Sequence, residues 1–239
     1  MQQQASWSFR NQAPMPSAPA LEWVPENHNG AIKNTVARRT RFLLLKRVFD
    51  ICISLVVIVL VLSWLIPLFW LLIRIDSKGG VFFVQKRIGK DDRPFYCIKF
   101  RTMVRNSVAD ELPAVPGDER ITRVGRFLRR TSLDELPQFL NVLCGQMSIV
   151  GPRPHMPVDC IRFSFIITSY SFRHLVRPGI TGWAQVNGYH GPSPCYESVM
   201  LRYYWDAMYV RKANPALDAR ILVVTFVKGV VNMFGRSLV

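Results

Sequence analysis

Residues 51–73 read ICISLVVIVLVLSWLIPLFWLLI, 23 consecutive positions without a charged side chain. As an α-helix this run would be about 35 Å long, enough to cross a hydrocarbon core. A soluble core helix of that length would carry polar residues along one face, so the run reads as a membrane-buried helix. Basic residues flank it on both sides: Arg38, Arg39, Arg41, Lys46 and Arg47 before it, Arg74, Lys78, Lys86, Arg87 and Lys90 after it. The positive-inside rule then keeps both ends on the cytoplasmic side. Pro67 removes a backbone donor and can break the helix. A helix-break-helix hairpin that enters and leaves the same leaflet, broken at Pro67, is therefore expected; a kinked spanning helix is the alternative.

Working outward, residues 1–40 are rich in Gln, Pro, Ser, Ala and Asn without apolar periodicity and are read as a disordered tail. Residues 41–75 form the membrane-inserted unit and 76–239 a globular cytoplasmic domain. No secretory signal is expected, because the apolar run starts too late and is too long. The 239 residues carry 31 Lys+Arg against 16 Asp+Glu, a formal charge of +15, together with 49% hydrophobic residues. That mixture excludes a disordered chain and a large multidomain machine. It predicts a body that meets something anionic: a membrane surface, nucleic acid or a phosphorylated substrate. The five cysteines are scattered and never form a CxxC pair, and the four histidines show no metal spacing. A disulfide framework and a zinc site are both disfavoured, and a reducing compartment fits. No G-x-x-x-x-G-K-[ST] or G-x-G-x-x-G motif is present.

Past residue 77 the pattern turns globular. Two short strands are expected at 81–84 and 95–100 around a Gly/Asp/Pro turn at 89–94, and helices at 124–130, 136–143 and 196–209. A last apolar helix over 218–234 carries Arg220 and Lys228, and could equally lie flat in a membrane interface or pack in the core. The fold class is α+β: a small, mostly helical domain with short strands, anchored by the N-terminal membrane helix.

The densest chemistry lies in RITRVGRFLRRTSLDELPQFLNVLCGQMSIVGPRPH, residues 120–155. Arg120, Arg123, Arg126, Arg129 and Arg130 give an amphipathic helix a cationic face suited to phosphates or to lipid headgroups. The adjacent acids Asp134 and Glu135 complete an S-x-x-E capping box with Ser132. Pro137 favours a helix beginning at Asp134 instead, since there the proline costs no hydrogen bond. Glu135 is then free for chemistry. Neighbouring carboxylates beside arginines suit phosphoryl transfer, one as nucleophile or metal ligand and the other orienting a cation or a proton. Two rigid loops follow, Gly151-Pro152-Arg153-Pro154 and Arg177-Pro178-Gly179-Ile180-Thr181-Gly182-Trp183, each fixing an arginine beside proline.

Five strings, KRVFD (46–50), VFFVQKRIG (81–89), IKFRTM (98–103), RITRVGRFLRRTSLDELPQFLNVLCGQMSIVGPRP (120–154) and LVRPGITGWAQVNG (175–188), resemble the bacterial sugar transferases, the monotopic polyprenyl-phosphate phosphoglycosyl transferases. The resemblance implies transfer of a sugar-1-phosphate from a UDP-sugar to undecaprenyl phosphate, with release of UMP. The wording of VGPRPH and GITGWAQVNGY is similar to the branch that starts exopolysaccharide chains with glucose; a galactose-type enzyme and a non-catalytic scaffold are the alternatives. It further implies Asp134 as nucleophile forming a phosphosugar intermediate, and Glu135 assisting. Mg2+ would be held at Asp134 and Glu135. Lys99, Arg101, Arg129, Arg130 and Arg153 fall on phosphate-binding positions, and Asp206 and Arg177 on nucleotide contacts. The location implied is the cytoplasmic face of a bacterial inner membrane, with UDP-sugar, polyprenyl phosphate and membrane lipid as partners, downstream glycosyltransferases as users of the product, and no nucleic acid. The chain departs from the family pattern in reading Ser63-Trp64 where a Ser-Pro pair is usual, and Ala213-Asn214-Pro215 in place of an aromatic-rich stretch. A large N-terminal membrane domain of the kind many glucose-type members carry is not expected.

Overall fold

The computed structural model describes residues 39–104, 117–189, 191 and 195–233. The tail expected over 1–40 lies almost wholly outside the described residues, as do His28 and His190.

Helix α1, Thr40–Asp76, is the one helix among the described residues long and apolar enough to cross a membrane, judged by length and composition. It contains a π-helical segment at Ile58–Leu62, between α-helical stretches Thr40–Val57 and Ser63–Asp76. Its buried stripe runs through Asp50, Ser54, Leu62, Leu65, Phe69 and Ile73, with Ile58 partly covered. Six steps from Asp50 to Ile73 average about 3.8 residues, more than the 3.6 of an α-helix. The π turn absorbs one residue and brings the average to about 3.7, so the stripe stays on one face. Opposite it, Leu44, Leu45, Val48, Phe49, Leu55, Val59, Leu60, Trp64 and Leu71 are exposed.

The hairpin expected from Pro67 is not what the structure contains: helical geometry continues through Pro67, and the departure from α-geometry lies one turn earlier. Proline costs a donor and crowds the carbonyl four residues back, and the loosened turn relieves this locally. Ser63 Oγ donates to the Val59 carbonyl at 2.6 Å and Trp64 Nε1 to that of Leu60 at 2.9 Å, so two carbonyls there stay satisfied and the chain need not turn back.

Strands β1, Phe82–Ile88, and β2, Pro94–Phe100, pair antiparallel from Phe82 opposite Phe100 to Ile88 opposite Pro94. The hairpin is the expected one, with a longer first strand. Asp91 and Asp92 take left-handed backbone in its turn, a conformation short polar residues tolerate. Helix α2 is Arg123–Thr131 and α3 is Gln138–Leu143. Strands β3, Ser148–Val150, and β4, Gly179–Thr181, form a parallel pair that the sequence pattern did not reveal. They bring the two proline-arginine loops together: a Cβ on Gly179 would fall 2.1 Å from the Gly151 nitrogen, and one on Gly182 2.1 Å from its carbonyl oxygen. These glycines serve the approach of backbone to backbone.

Helices α4, Pro157–Ser164, and α5, Trp183–Val186, a 3-10 turn over Tyr170–Leu175, and helices α6, Tyr196–Lys212, and α7, Pro215–Met233, complete the body. Helix α7 joins the two readings of the last apolar helix. Ile221 and Asp218 are buried while Val223, Phe226 and Val227 are exposed. The hydrophobic core lies between the buried face of α1 and the globular elements: Leu62, Leu65, Phe69 and Ile73 pack with Val81, Phe100 and Leu128, and Ile53 with the cluster around Val142, Met147 and Tyr209.

Candidate active site

The site forms where α2 ends. Ser132 closes α2 in left-handed backbone (φ 57°), and residues Leu133–Glu135 form one 3-10 turn before Pro137 opens α3. Neither Ser132 nor Asp134 caps α3 through its side chain, so the expected capping registers are both replaced by this turn. Leu133 and Leu136, three apart and on one side of the turn, pack toward Leu62 and Phe100. Asp134 and Glu135 are left to face the cations.

Those cations come from three separate segments. Lys99 shares the inward side of β2 with Phe95 and Cys97, an unusual place for a lysine, and its Nζ lies 2.8 Å from Glu135 Oε1. Arg153 grips Glu135 as a fork, Nη2 to Oε1 at 2.6 Å and Nη1 to Oε2 at 3.2 Å. Burial alone would raise the Glu135 pKa, but the charges of Arg153 and Lys99 and their hydrogen bonds outweigh it and hold the carboxyl far below the usual range. Asp134 receives no hydrogen bond or ion pair among the described residues. Burial and the neighbouring Glu135 charge push its pKa up to about 6, against the opposing pull of Lys99, Arg129 and Arg153. The dyad is thus one permanently ionised, fully bonded carboxylate beside one that is desolvated and open.

The remaining expected residues divide. Arg129 donates from Nε to Thr102 Oγ1 at 2.7 Å, its guanidinium partly buried near Asp134. Close docking of α2 on this segment depends on Gly125, where a Cβ would sit 2.0 Å from the Thr102 carbonyl oxygen. Arg130 is exposed on the outer side of α2. Arg101 is turned away and buried, its guanidinium donating to the carbonyls of Lys78 and Ser77 at 2.6 and 2.7 Å. It closes the turn after α1, and these two bonds are made away from the dyad. Arg177 stands beyond the far end of α3, its Nε on the Gly145 carbonyl at 2.8 Å, apart from the dyad. Asp206, expected at the nucleotide, is 1% exposed and paired with Arg173 at 2.7 Å.

That pair exposes a support the sequence reading missed. Arg173 Nη2 donates to the Arg153 carbonyl at 2.5 Å and Nη1 to His155 Nδ1 at 3.0 Å. Arg87 Nη1 reaches the Pro154 carbonyl at 3.2 Å, and the Ile88 amide that of His155 at 3.0 Å. The Gly151–His155 segment is held from behind at every turn, which fixes the Arg153 fork. Burial and the surrounding arginines lower the His155 pKa well below its ordinary value, so the imidazole is neutral and accepts from Arg173. The only sign of Arg173 in the sequence is a charge inside the apolar run YSFRHLV.

A divalent ion fits this site in part. Among the described residues no three His, Cys, Asp or Glu side chains gather to cage a metal. Asp134 is an open carboxylate of the kind that holds Mg2+ together with substrate phosphates. Both Glu135 oxygens are already taken by Lys99 and Arg153, so the expectation of Glu135 as a metal ligand does not fit its bonding here.

An open carboxylate walled by cations is an arrangement suited to meeting phosphate groups. Residues 41–232 match the family described as bacterial sugar transferase, and the chain belongs to that family. It is 44% identical over 190 residues to a UDP-glucose:undecaprenyl-phosphate glucose-1-phosphate transferase of Escherichia coli K12, covering 79% of this chain and 41% of that one. It is 42% identical to exopolysaccharide production protein PSS of Rhizobium leguminosarum bv. phaseoli, over 77% of this chain and 94% of that one. A UDP-N-acetylgalactosamine-undecaprenyl-phosphate N-acetylgalactosaminephosphotransferase of Aeromonas hydrophila is 39% identical over 90% of this chain and 54% of its own. The chain thus spans about two fifths of the Escherichia coli relative's length.

Proposed function

We propose that the protein transfers a sugar-1-phosphate, with glucose as the sugar, from a UDP-sugar to undecaprenyl phosphate at the cytoplasmic face of a bacterial inner membrane. The observation that carries this reading is the open, desolvated Asp134 carboxylate beside a Glu135 clamped by Lys99 and Arg153. Asp134 attacks the phosphorus bonded to the sugar, the bridging P–O bond to UMP breaks, and the aspartyl phosphosugar is left on the enzyme. An oxygen of the lipid phosphate then attacks the same phosphorus, releasing Asp134 and forming the polyprenyl diphosphate sugar for downstream glycosyltransferases. Lys99, Arg129 and Arg153 stabilise charge on the transferring phosphoryl group, and Glu135 holds Lys99 and Arg153 in place for it. Mg2+ bound at Asp134 and the substrate phosphates would neutralise charge on the leaving UMP.

We place the helix α1 on one side of the bilayer. Arg47 holds α3, Asp50 accepts from the Ile149 amide, and Leu62 to Ile73 pack on Phe100 and Leu128. Both halves of α1 are therefore tied to the same globular body. A helix crossing the membrane would drag that body's polar surface into lipid at a cost of several kcal/mol per unsatisfied group. Resting in a single leaflet buries only its exposed apolar face. The test of the reaction is which nucleotide is released when the full chain in detergent receives undecaprenyl phosphate, Mg2+ and a panel of UDP-sugars. UMP, released with UDP-glucose above UDP-galactose and UDP-N-acetylgalactosamine, is expected. UDP would replace phosphosugar transfer by ordinary glycosyl transfer, and no release with any sugar would favour a scaffold role.

A further inference from the structure

A second cationic recess lies at the other end of α3 from the dyad. Asp134 and Glu135 precede the first turn of this six-residue helix, while Arg47 Nη1 and Nη2 donate to the carbonyls of Val142 and Leu143 at its end, at 2.7 and 2.9 Å. The two ends are about 9 Å apart along the helix axis. Arg177 reaches the same place, bound through Nε to the Gly145 carbonyl, which leaves its two terminal nitrogens without a partner among the described residues. Together they border a small cleft of about 50 Å3, with Phe42, Leu175 and Val176 among its walls.

Ser148 points to an occupant. It and Val150 share one side of β3 and both line the cleft. Ser148 is 2% exposed, yet its Oγ has no hydrogen-bond partner among the described residues. A buried hydroxyl left unpaired costs free energy unless something else meets it. The charge of the lining favours an anion. Arg47, Arg177, Lys46 and Lys90 face Asp50 as the sole carboxylate of the wall, and Asp50 is spent on the Ile149 amide at 3.1 Å. Lys46 is matched by Asp218 at 2.7 Å. The two guanidinium groups lie close enough that Arg177 lowers the Arg47 pKa, after the larger effect of burial. The cleft is bounded on α1 by Phe42, Leu43, Lys46, Arg47 and Asp50, and the opposite face of the same turns carries the exposed apolar strip Leu44, Leu45, Val48 and Phe49.

We propose that this cleft binds an anionic phospholipid. Its phosphate meets Arg177, Arg47 and the Ser148 hydroxyl, and its acyl chains leave the cleft past Phe42 for the bilayer that takes up the exposed apolar face of α1. Apolar walls with a few convergent polar groups are the usual make-up of a small-molecule site, and a guanidinium pair suits a phosphate. The assignment rests on membrane contact by α1 and is independent of the transfer reaction at Asp134.

The experiment titrates the full chain, in neutral detergent, with short-chain phosphatidylglycerol, short-chain phosphatidylcholine and inorganic phosphate, reading the midpoint concentration of the rise in melting temperature. Phosphatidylglycerol is expected to act at concentrations at least tenfold lower than phosphatidylcholine or phosphate. Arg177→Gln should raise its midpoint tenfold or more and Ser148→Ala severalfold. Ser148→Ala should melt no lower than the parent without lipid, because it removes the unpaired hydroxyl. Asp134→Asn should leave the lipid response intact, separating this site from the phosphosugar site, and Arg162→Gln should do the same as a control for charge alone. Equal midpoints for the two lipids, an equal response to phosphate alone, or unchanged midpoints in Arg177→Gln and Ser148→Ala would each overturn the proposal.

Discussion

Asp134 and Glu135 are neighbours of the same chemical kind, and their surroundings drive them apart. Glu135 is ionised because two cations hold it, whereas Asp134 is raised to about 6 by burial and by the Glu135 charge. The unfolded Asp134 ionises near 3.8, so between about pH 4 and 6 the folded state binds the extra proton. Its contribution to stability therefore falls as pH rises through that window and stays lost above it. Asp134→Asn should raise stability at pH 8 by on the order of 1–2 kcal/mol, read from denaturant unfolding, while turnover falls at least about 1000-fold. Retained turnover would remove Asp134 from the role of nucleophile. The rate of the parent should climb with one-proton dependence as pH rises through about 6 and level off above it; a profile flat from pH 5 to 8 would contradict that ionisation. Asp206 makes a different demand. Asp206→Asn leaves Arg173 as a buried charge without its partner and should cost roughly 3–5 kcal/mol in unfolding free energy. That Lys99, Asp134, Glu135 and Arg153 would come together was legible in short motifs, and the structure brings them together. That Arg101, Arg177 and Asp206 are bonded elsewhere was not legible, because an arginine on a buried carbonyl and one on a phosphate look alike until the carbonyl is located.

Among the elements, α1 shows what an all-apolar sequence hides. Since nearly every residue of 51–73 is apolar, no periodicity marks the face that packs on Phe100 and Leu128, and Pro67 stood out as the natural place for a break. What keeps the packed face continuous is the π turn at Ile58–Leu62, which absorbs one extra residue. Deleting Val59 should return this turn to α-geometry and leave Leu62, Leu65, Phe69 and Ile73 on the core, whereas inserting one alanine after Val59 should swing them by about 100° off it. The insertion is expected to abolish cooperative unfolding, whereas Pro67→Ala, at an exposed position where the helix already continues, should change stability by less than about 1 kcal/mol. A large loss for Pro67→Ala and none for the insertion would move the critical position back to the proline. The β1–β2 hairpin was legible because its strands are long and its turn is marked by Gly and Asp. The three-residue strands β3 and β4 were not, since they are too short for alternation to register.

For the molecule as a whole, the question is how a chain with a charge of +15 and a 37-residue apolar helix sits on a bilayer. Attraction of exposed cations to anionic headgroups falls within a Debye length of about 8 Å and weakens with salt. Burial of the Leu44, Val48, Leu60 and Trp64 face of α1 does not. The protein should therefore remain with membranes in about 1 M salt and leave them only in detergent. Which side the ends occupy follows from the packing: Arg47 binds the end of α3 beside Cys144, while Arg74 and Asp76 lie against the body that carries Phe100 and Val124. A cysteine replacing exposed Arg41, and the native exposed Cys144 and Cys195, should all resist a membrane-impermeant thiol reagent in intact cells and react once the inner membrane is opened. Reaction at position 41 alone in intact cells would mean that α1 crosses the bilayer. The contacts of its first half with α3 and β3 would then have to be broken in the membrane-bound state, and the one-sided placement would fall with them.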